Sequence, residues 1–155
     1  EAFYLADIER AKLILCGSSN NEYYEKLVKL KDRLDEKKGK KEVEIKTYLS
    51  REAVYKLYST SQVFVLASKI DQYPIVLCEA AAKGLAIIST NVGQASILPE
   101  CLIVNNTADM AKAMKLMYDN PDLRLESGKK LQTFSKLHYD KNTKIRQFNE
   151  IINNL

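Results

Sequence analysis

Two carboxylates eight residues apart frame the stretch of this chain most suited to chemistry. In DQYPIVLCEAAAKG, residues 71–84, Asp71 stands just ahead of an apolar run and Glu79 sits inside it. Pro74 suits the start of a helix, the alanines favour helix, and Gly84 is a natural C-terminal stop, so Glu79 is expected on a short, mostly apolar helix. What such a group offers is a charged hydrogen-bond acceptor, and a carboxylate in an apolar setting requires a donor to match it.

Other catalytic chemistry is not legible. There is no phosphate-loop lysine motif, no dinucleotide G-x-G-x-x-G and no Ser/His/Asp arrangement. The single histidine, His138, lies beside Tyr139 and reads as a surface or packing residue. Cys16, Cys78 and Cys101 are odd in number, far apart and set in apolar segments, so they are expected as reduced core thiols of a cytoplasmic protein. With one histidine and no C-x-x-C pair, neither a metal nor a cofactor is expected.

The elements that must position the two acids follow from patterning. The 155 residues, 46% apolar and 28% charged, fit one soluble domain, expected over residues 1–155 without an internal linker. No apolar run approaches the roughly 20 residues of a membrane span, and the start lacks the layout of a signal peptide. The net charge is +4, with its clearest concentration in KKGKKE at 37–42. That run reads as a solvated turn between helix and strand, with an anionic membrane surface as the weaker alternative; no nucleic-acid partner is expected, since a basic stripe with interleaved aromatics is absent.

Short β-rich runs alternate with helical periodicity, the pattern of parallel α/β structure. Strands are expected in KLILCG (12–17), VEIKTYL (43–49), VFVLAS (63–68), LAIIST (85–90) and CLIVNN (101–106). The VFVLAS run is continuous and apolar, as for a strand covered on both faces. Helices are expected on Tyr23, Leu27, Leu30 and Leu34; after Ser50, on Val54, Leu57, Tyr58 and Ser61; on Met110, Met114 and Met117; on Leu131 and Phe134; and last on Ile145, Phe148, Ile152 and Leu155. In open α/β sheets ligands bind beyond the carboxyl ends of the strands. Polar and small residues gather there in CGSSN, TYLS, SKIDQYP and TNVGQ, although strand ends need turn residues in any case.

The line SKIDQYPIVLCEAAAKG resembles the E-x7-E motif of retaining GT-B glycosyltransferases, S-x-x-E-G-F-P-L-V-L-L-E-A-M-A-A-G, with Ser68, Asp71, Tyr73, Pro74, Glu79, Ala80 and Gly84 in matching positions. AKLILCGSS, YLSREAVYKLYSTSQVFVLAS and LAIISTNVGQAS resemble further segments of that family, in the same order, from about Ala2 to Asn106. The resemblance implies a Rossmann-like parallel sheet with helices on both faces, the C-terminal half of a GT-B fold. It also implies a nucleotide-sugar donor, such as a UDP- or GDP-sugar, and a glycan or lipid-linked acceptor held by an N-terminal domain. By the same resemblance Glu79 holds the ribose hydroxyls and Asp71 a hydroxyl of the transferred sugar. Backbone from Tyr73 through Pro74 and Ile75 to Val76 faces the diphosphate, beside Ser68 and Gln72. Thr47, Tyr48 and Leu49 meet the base, and Gly17 and Ser18 border the cleft.

Three departures accompany the likeness. Asp71 is one methylene shorter than the family's glutamate. Gln72 stands where glycine is usual, which matters if that position needs an unusual backbone angle. The family's first strand and its G-R-x-x-x-x-K-G segment have no counterpart here, so a central strand is expected to be missing and two strand edges left unpaired, with Lys69 the nearest substitute cation. The resulting expectation is the donor-binding domain of a retaining glycosyltransferase, inactive by itself, cytoplasmic or at the inner face of a membrane through peripheral association. The alternative is a non-catalytic GT-B-like module that binds a partner glycosyltransferase or a glycan.

Overall fold

The alternation of apolar runs and periodic segments folds as α/β in the computed structural model, which describes residues 1–18 and 20–154. A short helix α1 (Ala2–Leu5) precedes β1 (Lys12–Gly17), α2 (Glu22–Lys38), β2 (Glu42–Thr47), α3 (Arg51–Thr60), β3 (Val63–Leu66), α4 (Ile75–Ala82) and β4 (Ala86–Thr90). A 3-10 turn (Ala95–Ile97), β5 (Leu102–Val104), α5 (Thr107–Asp119), α6 (Pro121–His138) and α7 (Lys141–Asn153) complete the order. Leu155, expected on the last helix, lies outside the described residues.

Helices α2, α3, α5 and α7 begin where the sequence provides acceptors for their first amides. Asn21 accepts from the Tyr23 and Tyr24 amides, Ser50 from Ala53, Asn106 from Asp109 and Asp140 from Thr143. Pro121 opens α6 at a position where no amide is needed. Gly39, with φ of 88°, ends α2 in a conformation that other residues resist.

All strand pairs are parallel: β1 with β2, β3 with β4, and β4 with β5. They form two sheets, β1-β2 and β3-β4-β5, so that among the described residues β1 and β3 each leave one side without a strand partner. This gives a physical reason for one difference from expectation. Every residue of β3 is only half-buried, because β3 is an edge, and the fully buried strand is β4, in which Ala86, Ile87, Ile88 and Ser89 are all at 0% exposure.

The alternation of side chains along β4 divides the core in two. Ala86 and Ile88 pack with Ala2, Ala6, Met110 and Met117, under α1 and α5. Ile87 packs on the opposite face with Leu77, Ala80 and Leu131, and Tyr58 reaches the same cluster from α3. The methionine face of α5 and the Leu131 anchor of α6 are therefore where the periodicity placed them. Helix α7 is different: Ile145, Phe148 and Ile152 are exposed.

Two readings need correction. Cys16, near the end of β1, is exposed, whereas Cys78 and Cys101 are half-buried. The lysine run is not wholly solvated, since Lys41 is half-buried and its ammonium donates to the carbonyls of Phe3 at 2.9 Å and Ala6 at 2.6 Å, just past the end of α1. One cation thereby serves the Phe3 carbonyl within α1 and adds a second donor to the Ala6 carbonyl, which also accepts from the Ile8 amide.

Beside it Asp35 accepts from the Lys31 ammonium at 2.7 Å, the Tyr4 hydroxyl at 2.7 Å and the Lys41 amide at 3.2 Å. These bonds, Lys31 first and Tyr4 second, hold its carboxyl at about 2. A carboxylate depressed in the folded state stabilises above its unfolded value, and the contribution is lost as pH falls toward the folded value. Asp35 is thus expected to contribute about 1–2 kcal/mol at neutral pH that fades between about pH 4 and pH 2. Urea denaturation of wild type and Asp35→Asn across that window checks this: the difference between the two should shrink as pH drops.

Candidate functional site

The predicted site residues Gly17, Ser18, Thr47, Tyr48 and Leu49 lie at or just beyond the carboxyl ends of β1 and β2, and Ser68 to Pro74 lie between β3 and α4. Gly17 and Thr47 are paired at the last positions of β1 and β2, so the loops that follow them start level. The Thr47 hydroxyl hydrogen-bonds the Asn20 side chain, and the Asn20 amide donates to the Tyr48 hydroxyl at 3.4 Å, tying the two loops together. Tyr48 has φ of 54° and is 70% exposed. A tyrosine in the left-handed region costs about 1–2 kcal/mol, a strain that proteins concentrate at binding sites. Ser18 is exposed and Leu49 half-buried.

The ends of β3 and β4 are joined by the Thr90 hydroxyl, which donates to the Ser68 carbonyl at 2.6 Å. From there the chain passes through Asp71, Gln72 and Tyr73 to Pro74, the residue that precedes α4. Asp71 accepts from the Tyr73 amide at 3.2 Å and so shapes its own loop. Gln72 is not among the residues with positive φ, so the side chain at that position imposes no backbone strain. Of the four residues expected to face an anion, Pro74 has no N–H and the Tyr73 amide is taken by Asp71. Ile75 and Val76, the first two residues of α4, remain as donors that the helix cannot satisfy internally. Lys69 is exposed in the same loop.

The turn after β4 supports this loop. Gly93 has φ of 49°, and a Cβ there would stand 2.4 Å from Pro74 Cδ and 2.9 Å from the Gln72 carbonyl oxygen. Gln94, 5% exposed, donates through Nε2 to the Pro74 carbonyl at 3.1 Å, while its Oε1 has no protein partner. Gly93→Ala is expected to cost about 2 kcal/mol of stability, from left-handed backbone and forced displacement of the Asp71–Pro74 loop. Urea denaturation measures it, and an unchanged midpoint would show that the loop gives way freely.

Glu79 lies on the last turns of α4, its side chain 17% exposed. Its Oε1 accepts from Arg51 Nη2 at 2.7 Å and its Oε2 from the Tyr58 hydroxyl at 3.2 Å. Burial first, and the Glu79 charge second, push the Tyr58 hydroxyl well above the ordinary tyrosine range. Among the described residues Asp71 and Glu79 share no hydrogen-bond partner. Asp71 stands in the loop ahead of α4, and Glu79 is the fifth residue of that helix.

Sequence reasoning missed Arg51 and saw Tyr58 only as packing. The signal was present: Arg51, Tyr55 and Tyr58 are spaced four and three apart and share a helix face. Arg51 Nε donates to the Tyr55 hydroxyl at 3.0 Å, and its guanidinium lies over the Tyr55 ring. His138, by contrast, stacks on Phe134 with ring centroids 4.2 Å apart, in keeping with a packing role.

Among the described residues no group of three or more His, Cys, Asp or Glu side chains is placed to hold a metal ion. Surface depressions along α2, lined by Lys26, Lys29, Asp32 and Arg33, and along α7, lined by Gln147, Glu150, Ile151 and Asn154, each run over a single helix and include no strand-end residue.

The parallel strands flanked by helices, with polar loops at their carboxyl ends, match the C-terminal half of GT-B glycosyltransferases in fold, as superposition on solved structures shows. HepE of Anabaena, in complex with UDP and glucose, matches with a TM-score of 0.85 at 16% identity, over 99% of this chain and 43% of that one. Sucrose-phosphate synthase of Thermosynechococcus elongatus gives 0.83 at 18% identity, over 99% and 40%. The catalytic domain of cholesterol-α-glucosyltransferase from Helicobacter pylori gives 0.73 at 15% identity, over 90% and 86%. The chain belongs to the family Glycosyl transferases group 1, whose model matches residues 1–133. It spans less than half the length of the first two of these structures. No curated protein matches its sequence.

Proposed function

We propose that this chain is the donor-binding domain of a retaining glycosyltransferase, which takes a nucleotide sugar and passes its sugar to a glycan or lipid-linked acceptor. The observation that carries the reading is the Glu79 carboxylate, 17% exposed, with one protein donor on each oxygen and a lone pair left on each. That is the equipment for two vicinal hydroxyls, and Glu79 is the residue that the E-x7-E likeness assigns to the ribose. HepE, whose fold this chain shares, was solved with UDP-glucose.

In this reading Asp71 holds a hydroxyl of the transferred sugar, with the shorter reach of an aspartate. The Ile75 and Val76 amides, at the positive end of the α4 dipole, meet the diphosphate, with Lys69 as the nearby cation. The base lies against Thr47, Tyr48 and Leu49, beside Gly17 and Ser18, and Ser68, Gln72 and Tyr73 line the sugar side. Catalysis is positioning and electrostatics: the acceptor attacks on the face the leaving phosphate vacates, and that phosphate takes the acceptor's proton.

Turnover then requires an acceptor-binding domain as well, and the unpaired sides of β1 and β3 fit a strand supplied by further polypeptide. No helix among the described residues is long and apolar enough to cross a membrane. Work in the cytoplasm, where nucleotide sugars are made, or peripherally at the inner membrane face belongs to the same proposal.

Calorimetric titration of the intact protein with UDP- and GDP-sugars tests it. Saturable binding of one of them is expected, and no binding of any would sink the reading in favour of a non-catalytic module.

A further inference from the structure

Glu79 is held in a way that an ordinary surface ion pair is not. Its two oxygens receive donors from different residues and different directions, Arg51 on Oε1 and Tyr58 on Oε2. Tyr58 is 8% exposed and its ring packs on Phe64 of β3, so the hydroxyl has a fixed origin. Arg51 is fixed at three points. Ser50 caps the first turn of α3, which sets its backbone. Tyr55 then takes its Nε and lies under its guanidinium, which sets the side chain although that side chain is 71% exposed.

As a contribution to stability an ion pair with so exposed an arginine is worth little. As an orienting device it is effective, because a carboxylate with one donor per oxygen can no longer rotate about its last torsion without breaking a bond. A planar guanidinium braced on a ring is also pre-organised for this task.

We propose that Arg51 is a positioning residue for donor recognition. With Tyr58 it locks the Glu79 carboxylate so that the remaining lone pair of each oxygen is presented to one of two vicinal ribose hydroxyls. The inference rests on the ribose role given to Glu79 above. It adds a residue outside the motif, on a different helix, and predicts that selectivity for an intact ribose depends on α3 as well as on α4.

The test compares the affinity of the intact protein for UDP and GDP with that for their 2′,3′-dideoxy analogues, in wild type, Glu79→Gln, Arg51→Gln and Arg51→Lys. In wild type the natural nucleotide is expected to bind roughly 100-fold more tightly than its dideoxy form, since two hydrogen bonds to a charged acceptor are lost. Glu79→Gln should collapse that ratio. Arg51→Gln should reduce it roughly tenfold while the dideoxy affinity stays unchanged, and Arg51→Lys should restore part of it.

A ratio that collapses in Glu79→Gln but is untouched in Arg51→Gln overturns the positioning role and leaves the ribose role standing. An equal loss for both nucleotides in Arg51→Gln also overturns it, because the arginine would then act elsewhere on the ligand or on the fold. No preference for the intact ribose in wild type, or no binding of either nucleotide, overturns the ribose role and the positioning role together.

Discussion

Glu79→Gln is expected to weaken binding of a nucleotide sugar by about 3 kcal/mol, roughly two powers of ten in Kd, with little change in stability. The binding loss follows from the ligand side. Two ribose hydroxyls donating to a carboxylate make charge-assisted bonds of about 1.5–3 kcal/mol each, and an amide retains one neutral acceptor for the pair. The protein side changes less. Arg51 is largely in water, so its bond to Glu79 is worth about 0–1 kcal/mol, and the glutamine can still serve the Tyr58 hydroxyl.

Glu79→Ala is the less informative variant, because it also leaves the buried Tyr58 hydroxyl without an acceptor, at a cost of about 1–3 kcal/mol in folding. Calorimetry and urea denaturation on the same samples separate the two. If Glu79→Gln loses as much stability as affinity, the carboxylate is a structural tie between α3 and α4 and the ribose assignment fails.

How much of this was legible beforehand depended on the range of the interaction. Gly84, Pro74 and the spacing around Glu79 announced α4 because caps and periodicity are local. The apolar run 85–90 announced a strand for the same reason, but the continuous run 63–68 pointed to itself as the strand covered on both faces, and the buried one is β4. Burial of a strand is decided by its neighbours, and β3 lacks one on its outer side. The partners of Glu79 were hidden because Arg51 is 28 residues away in sequence and reaches the site only when α3 and α4 pack. Lys41 escaped in the same manner: a lysine in a basic run looks solvated until a helix end 35 residues earlier is folded against it. The support of the Asp71 loop by Gly93 and Gln94 is likewise a contact between two loops, with no periodic signature.

The second large effect is expected at Gly128, where local and tertiary rules predict opposite signs. Gly128 is interior to α6, and on helix propensity alone Gly128→Ala should stabilise by about 1 kcal/mol. Yet a Cβ there would stand 2.1 Å from the Gly84 carbonyl oxygen and 3.0 Å from its carbon. Both are backbone atoms, so no rotamer change relieves the overlap. Gly84 cannot retreat easily, since its φ of 74° ends α4 and the next residue begins the buried stretch Leu85–Ser89. Relief must come from α6 moving off the sheet, which would loosen the packing of Leu131 against Leu77 and Ile87.

Overpacking of this kind costs about 1–3 kcal/mol and occasionally more, and with no flexible atom to yield the upper end applies, so a net loss of about 3 kcal/mol is expected. For a chain of this length that corresponds to a fall in Tm of about 6–12 °C. Thermal and urea unfolding decide the sign directly: a more stable Gly128→Ala would mean that α6 is free to shift, and that the close approach of α6 to the end of α4 does not fix where Glu79 stands.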